Sequence, residues 1–304
     1  LFGTSFIDAF KLNMFIASFV GAIFMFLWAR IFWGNWGGVV SSIFYTYSPY
    51  HLLDIYIRGS VGEVWALGLF PAFLWSITKL IKERRVFFVP ISSIVISLII
   101  FSHNILASMF FPLTLSYIVF LIYQMKEDRK YLILNTFYVI FLGLGLSSIF
   151  WLPAIFEKQY VVGLEIFDFR AHFVEFYQLI FPSWGSGFSA DSTTQGLSFQ
   201  IGIANLIALI TSIISLIIIR KRKNEKSLIF ISIFFILWTF LAIFLKLEAS
   251  RLFWENIPLM QYFQFPWRLL SLVILFSSFL AGSIVYFWKF KLLLPTFILI
   301  AVFL

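Results

Sequence analysis

The sequence predicts an all-α, polytopic bundle of membrane-spanning helices, and three observations predict it. The 304 residues are 62% hydrophobic and only 12% charged, whereas soluble domains lie nearer half apolar and a quarter charged. Apolar runs of spanning or near-spanning length recur along the whole chain. The charged residues fall between these runs and sort by sign.

The runs lie at about 12–32, 63–81, 86–101, 104–123, 131–151, 200–219, 227–245 and 266–288, with a shorter one at 37–47 and another beginning at 292. That makes about ten helices in a single transmembrane domain over 1–304, read as a fragment lacking both ends because it opens on Leu1 and stops inside its last run. The connecting segments "KLIKERR" (79–85), "KEDRK" (126–130), "RKRKNEK" (220–226) and "KFK" (289–291) hold fourteen of the 22 Lys and Arg. The positive-inside rule makes these loops cytoplasmic. The other segments, 48–62, 102–104, the long loop 152–199 and 246–265, alternate with them and face outward. Ten of the fourteen acids, from Asp8 to Glu255, and all three histidines lie on that face. Chemistry is therefore expected outside. The net charge of +8 then reflects topology rather than an anionic partner, and nucleic acid is not one.

Several classes are excluded. The chain has no cysteine, so disulfides, thiolate metal sites and a cysteine nucleophile are absent. It has no phosphate-binding Gly-rich loop and no Gly-x-Ser-x-Gly elbow, so a nucleotide is not an expected partner. Charges within the spanning runs are almost nil, which speaks against a relay of buried acids.

The stretch "SPYHLLDIYIRGSVGEVW" (48–65) concentrates ionisable groups. Ser48 suits an N-cap, Pro49 the first helical position, and Gly59 a helix end. Along the helix, His51, Asp54 and Arg58 share one face while Leu52, Leu53, Ile55, Tyr56 and Ile57 cover much of the rest, the pattern of an interfacial helix. Two readings stand: an i, i+4 pair of Asp54 and Arg58 on a solvated face, or a substrate site. Ser60 and Glu63 have capping-box spacing, so Glu63 is expected to start the next helix.

Three further groups follow. His103 and Asn104 sit in a turn between two spanning helices, either as a polar connection or with His103 as a proton acceptor. In "EIFDFRAHFVEF" (165–176), Asp168 and His172 are i, i+4 and Arg170 lies between them. A helix there could share a divalent cation, or the alternating phenylalanines could make it interfacial. No dense carboxylate cage or zinc set is present, and no cofactor is assigned. Arg268, just after Pro266, stands near a helix start, where free amides favour anions; it reads as a phosphate clamp or as a snorkelling side chain. Trp254, Tyr262 and Trp267 fit an interfacial aromatic belt. The segment 182–200, rich in Ser, Gly and Thr, reads as a surface loop.

Five phrases, "YSPYHLLDIYIRGSVGEVWALGLFPAFLW", "FSHNILASMFFPL", "GLGLSSIFWLPAIFEKQYV", "FRAHFVEFYQLIFPSWGSG" and "IPLMQYFQFPWRLLSL", together resemble bacterial polytopic membrane proteins labelled 6-pyruvoyl-tetrahydropterin synthase-related. The label does not describe pterin synthase chemistry, since those enzymes are soluble and bind zinc through three histidines. The family looks like the GT-C class of membrane glycosyltransferases, which use polyprenyl-phosphate sugars at the outer face. The resemblance implies a bacterial inner-membrane location, a lipid-linked sugar donor and membrane lipids as partners. In that class the catalytic acid lies in the first outer loop; Asp8 would be its remnant, or the acid lies upstream of Leu1. Within the chain, Asp54 and His51 are the catalytic candidates, Arg58 and Arg268 the phosphate-binding ones, and His103, Asp168, Arg170 and His172 a possible additional outer-face site. A carrier or flippase for lipid-linked glycans, or a scaffold for envelope assembly, is the alternative.

Overall fold

The computed structural model describes residues 3, 5–157, 160, 168–183, 185–187, 196–219 and 225–288. The parts of the basic segments at 220–224 and 289–291, and the outer-loop charges Lys158, Glu165 and Asp191, lie outside them. Among the described residues the fold is all-α, with only isolated bridges (Val174 with Leu247, Gly187 with Gly196) and no strand. Six of these helical segments are long and apolar enough to cross a membrane, and Phe88–Ser102 and Ile203–Ile218 are shorter apolar ones.

Helix α1 (Phe6–Thr46) contains the first two apolar runs. They are antiparallel arms. The chain reverses at Gly34, whose φ of +71° is open to glycine at little cost. Ser42 Oγ donates to the Ala22 carbonyl at 2.7 Å, twenty residues away, which a straight helix with its 1.5 Å rise forbids. Next come α2 (Pro49–Tyr56), α3 (Val61–Glu83), α4 (Phe88–Ser102), α5 (Asn104–Gln124) and α6 (Arg129–Leu146). The run at 131–151 does not stay one helix: it breaks at Ser147 into α6 and α7 (Ser148–Phe156). Helices α8 (Ile203–Ile219) and α9 (Lys226–Phe244), the short α10 (Arg251–Asn256) and α11 (Pro258–Gln261), and α12 (Leu270–Trp288) complete the chain.

Helices α3 and α12 form the centre, with α12 buried almost along its whole length. α1 packs on both of them, α4 and α5 on α3, α6 on α4, and α8 and α9 on α12. Small residues set the closest approaches. A Cβ on Gly68 would stand 2.6 Å from the Ala17 carbonyl oxygen, and one on Gly282 would stand 2.6 Å from that of Gly37. Small-residue contacts of this kind let helix backbones meet where lipid removes the hydrophobic drive for association. Aromatic rings fill the middle, with Trp28 stacked on Phe279 at 4.2 Å and edge-on to Phe235. By contrast α6 turns Ile133, Phe137 and Phe141 outward, as a lipid-facing helix does.

The ends of the bundle differ. At one, Arg84 pairs with Asp128 at 2.6 Å, Tyr131 donates to the Arg84 carbonyl, Ser227 meets Gln124, and Lys82 lies over the Phe32 ring near the Gly34 reversal. The described parts of the basic segments thus gather together, as the alternation of loop charges predicts. At the other end α2, the starts of α3, α5 and α12, and the segment 168–183 come together.

Candidate functional site

The site at this second end is built around Glu63, in the first turn of α3. The expected capping box is not formed, and Ser60 makes no side-chain cap bond. Instead the Glu63 carboxylate is fully buried and collects donors. Arg58 binds it through both terminal nitrogens, with Nη2 donating to Oε1 at 2.7 Å and Nη1 shared between Glu63 Oε2 and Asp54 Oδ1. Arg268 Nε donates to Oε1 at 3.2 Å and Tyr50 Oη to Oε2 at 3.3 Å. His103 Nε2 faces Oε1 at 3.4 Å.

Each group arrives there for a local reason. Ser48 and Pro49 do open α2, but the Ser48 hydroxyl donates to the Tyr45 carbonyl and so finishes the preceding arm. α2 turns His51 and Asp54 inward and leaves Tyr56 and Ile57 exposed. The solvated polar face is therefore corrected: His51 and Asp54 face the bundle together with Leu53, and of the apolar residues only Tyr56 and Ile57 are exposed. α2 ends at Tyr56, so Arg58 lies beyond it and reaches back to Asp54 from the turn at Gly59, φ +58°. His103 caps α5 by accepting the Leu106 amide at Nδ1. That acceptor role assigns the ring proton to Nε2, the nitrogen facing Glu63.

Arg268 sits in the 3₁₀ turn Pro266–Leu269 that leads into α12 and is only 7% exposed, so it does not snorkel. Its Nη1 donates to Gln264 Oε1 at 2.7 Å and to the Phe263 carbonyl at 3.4 Å. Gln264 adopts φ +65°, a left-handed conformation costing a non-glycine residue about 1 kcal/mol or more. Both guanidiniums also lie against Trp267, at 4.7 Å for Arg58 and 5.8 Å for Arg268. The ring in turn stacks between Phe265 and Phe199.

Three side chains of the cluster leave polar atoms without a partner, Trp267 at Nε1 being one of them. Asp54 Oδ2 and both ring nitrogens of His51 are buried without a hydrogen bond of normal geometry. Burial, then the nearby Glu63 charge, pushes the Asp54 carboxyl well above the usual carboxylate range, against the pull of Arg58. Burial lowers His51 to about 4. For Arg58 burial opposes the charge, yet Glu63, Tyr50 and Asp54 keep its guanidinium above the ordinary value.

The remaining candidates stand apart. Residues 169–172 form a 3₁₀ turn rather than the helix that would align Asp168 with His172. Asp168 is exposed and accepts the Arg170 amide, while Arg170 also reaches Glu255 at 3.0 Å. His172 is buried edge-on to Phe265, 4.7 Å away, and so meets the cluster at its rim. No group of three or more His, Asp or Glu among the described residues could hold a metal ion.

An apolar cleft of about 310 Å³ between α4, α5, α6 and α7 is lined by Ile96, Phe110, Leu144 and Trp151, and its link to the cluster is Asn104, the residue after His103. Sequence reasoning missed Glu63 as the hub, and with it Tyr50, Gln264 and Trp267. The available signal was an acid just inside a spanning run, five residues from an arginine.

No curated protein and no solved structure matches the chain. The model of the 6-pyruvoyl-tetrahydropterin synthase related domain, a membrane protein family, matches residues 1–304. With its whole length matched and its helices arranged as a polytopic bundle, the chain belongs to the 6-pyruvoyl-tetrahydropterin synthase related membrane protein family.

Proposed function

We propose that this protein is a membrane glycosyltransferase of GT-C type, moving a sugar from a polyprenyl-phosphate donor to an acceptor hydroxyl. The observation that carries this reading is the juxtaposition of one buried and one half-buried arginine with a carboxylate that has an unpartnered oxygen, and with an apolar cleft that ends at Asn104, one residue from His103. A lipid-linked phosphate needs both halves: cations for its head and an apolar channel for its tail. The basic loops are assigned to the cytoplasm of a bacterial inner membrane by the positive-inside rule, which puts the cluster outside.

In the mechanism, Asp54 Oδ2 takes the proton from the acceptor hydroxyl. The acceptor oxygen attacks the anomeric carbon as the bond from that carbon to the phosphate oxygen breaks. The electron pair leaves on the lipid phosphate, and the configuration inverts. Arg58 and Arg268 meet that developing charge. A carboxyl raised by burial is suited to the base role, because catalysis is best when the base's pKa approaches the working pH. His51, one turn earlier on the same inward face, is the second catalytic candidate. His103 extends the donor set.

The test uses the full chain in membrane vesicles, with a labelled polyprenyl-phosphate sugar and Asp54→Asn and Arg268→Ala at matched expression. Each substitution is expected to lower transfer at least 100-fold. Wild-type rates in both overturn the site. Donor binding without any transfer by the wild type points to the carrier or scaffold alternative.

A further inference from the structure

We propose that Glu63 is a built-in counter-ion filling a phosphate cradle, so that a phosphate-bearing ligand enters by displacing its carboxylate from Arg58 and Arg268. The inference rests on the cluster being the donor-phosphate site and adds how that site is kept closed.

Three observations carry it. First, donors exceed acceptors. Five donor atoms converge on Glu63: Arg58 Nη1 and Nη2, Arg268 Nε, Tyr50 Oη and His103 Nε2. A carboxylate offers about four lone-pair sites. Trp267 Nε1, in the ring against both guanidiniums, is buried with no acceptor at all. A phosphate group brings more oxygens and up to twice the charge.

Second, the cations do not depend on Glu63 for their placement. Arg58 is held by Asp54 and by the Trp267 face, and Arg268 by Gln264, the Phe263 carbonyl and the same ring. If Glu63 leaves, two guanidiniums remain within 5.8 Å of the same Trp267 ring, and guanidinium forks suit phosphate.

Third, Glu63 lies at the first turn of the 23-residue α3, whose N-cap Ser60 gives no side-chain bond. The Ser60 and Val61 amides are taken by the Asp54 and Gly59 carbonyls, so the end of this helix offers an anion the next amides, of Gly62 and Glu63, and the dipole.

The experiment titrates the full chain in nanodiscs with geranyl phosphate, geraniol and inorganic phosphate, following thermal stabilisation and binding. Glu63→Gln keeps the side-chain shape and removes the competing charge. It is expected to bind geranyl phosphate at least tenfold more tightly than wild type, and Arg268→Gln added to it is expected to abolish the gain. Equal or weaker binding by a folded Glu63→Gln overturns the proposal, as does geraniol binding as tightly as its phosphate. Inorganic phosphate matching geranyl phosphate supports a cradle for a free anion, and preference for geranyl phosphate supports one for a lipid head.

Should Glu63→Gln fail to fold, histidine-labelled wild type decides. The chain has three histidines, and the His103 signal, assigned by its loss in His103→Gln, should move on saturation with geranyl phosphate. A stationary signal overturns the displacement. Tighter phosphate binding without sugar transfer keeps the cradle and removes the transferase. Asp54-dependent transfer with unchanged Glu63→Gln binding does the reverse.

Discussion

His51 and Asp54 lie three residues apart on the inward face of α2, and burial drives both toward their neutral forms. For a histidine that means a pKa below its ordinary 6.5, here about 4; for a carboxyl it means a raised one. The consequences for stability have opposite signs. The unfolded chain takes a proton on His51 as pH falls through 6.5, while the folded chain refuses it until about 4. The histidine's contribution is complete above 6.5 and is lost on acidification, by up to about 3 kcal/mol across that window. Asp54, held protonated more readily when folded, contributes most at low pH and loses that contribution as pH rises out of the ordinary carboxylate range. Comparing wild type with His51→Leu separates the two. The wild-type thermal midpoint should fall more steeply between pH 6.5 and 4, and parallel slopes would show a histidine that titrates normally. These residues were legible in the sequence because ionisable groups stand out in an apolar chain. Glu63 was not, since serine three residues before glutamate has a sufficient local explanation in a capping box. Tyr50, Gln264 and Trp267 act through a hydroxyl, an amide and a ring face, and carry no charge to mark them.

At the scale of elements, the apolar runs at 12–32 and 37–47 were readable as two segments, and the structure keeps them as the arms of α1 turning at Gly34. The break at Ser147 and the 3₁₀ turns at 169–172 and 266–269 were not readable, being too short for a periodic pattern to register. One glycine positions the site. A Cβ on Gly62 would stand 2.4 Å from the Ser102 carbonyl oxygen, so the start of α3 approaches the end of α4 only because that position lacks a side chain. The same approach brings Glu63 to His103, the residue after Ser102. Gly62→Ala must push the two helix ends apart, because the obstructing atom is backbone and cannot rotate away. The cost is expected to be about 1–3 kcal/mol, the usual range for overpacking. Transfer and phosphate binding should drop along with it, as His103 loses Glu63. A variant of unchanged stability that keeps full activity would mean that the helix ends can separate without disturbing the site.

For the whole molecule, membrane class and the grouping of loops followed from composition and from charge alternation, which are properties of segments. The pairing of Glu63 with Arg268 is a property of the assembled bundle. It joins residues 205 apart in sequence, and it exists because α1 lies between α3 and α12 at glycine-sized distances. Position along the chain gives no hint of it. The near absence of charge inside the spanning runs is corrected in the same way: Glu63 and Arg268 lie within spanning segments, but each answers the other. The cluster thereby ties α2, α3, the start of α5 and the entry to α12, and its loss should be felt globally. Glu63→Ala leaves Arg58 with Asp54 and leaves buried Arg268 with only the neutral acceptors Gln264 and the Phe263 carbonyl, and breaking a buried pair from one side costs about 3–5 kcal/mol. The Arg170 pairs with Asp168 and Glu255 have the same chemistry in a different setting, since the Arg170 side chain is 52% exposed. Water already solvates that charge, so Arg170→Ala should leave the unfolding transition of the detergent-solubilised protein where it is. A large shift for Glu63→Ala beside none for Arg170→Ala identifies the Glu63 cluster as the joint of the bundle. Equally small shifts would mean that water reaches Glu63 and its partners as freely as it reaches Arg170.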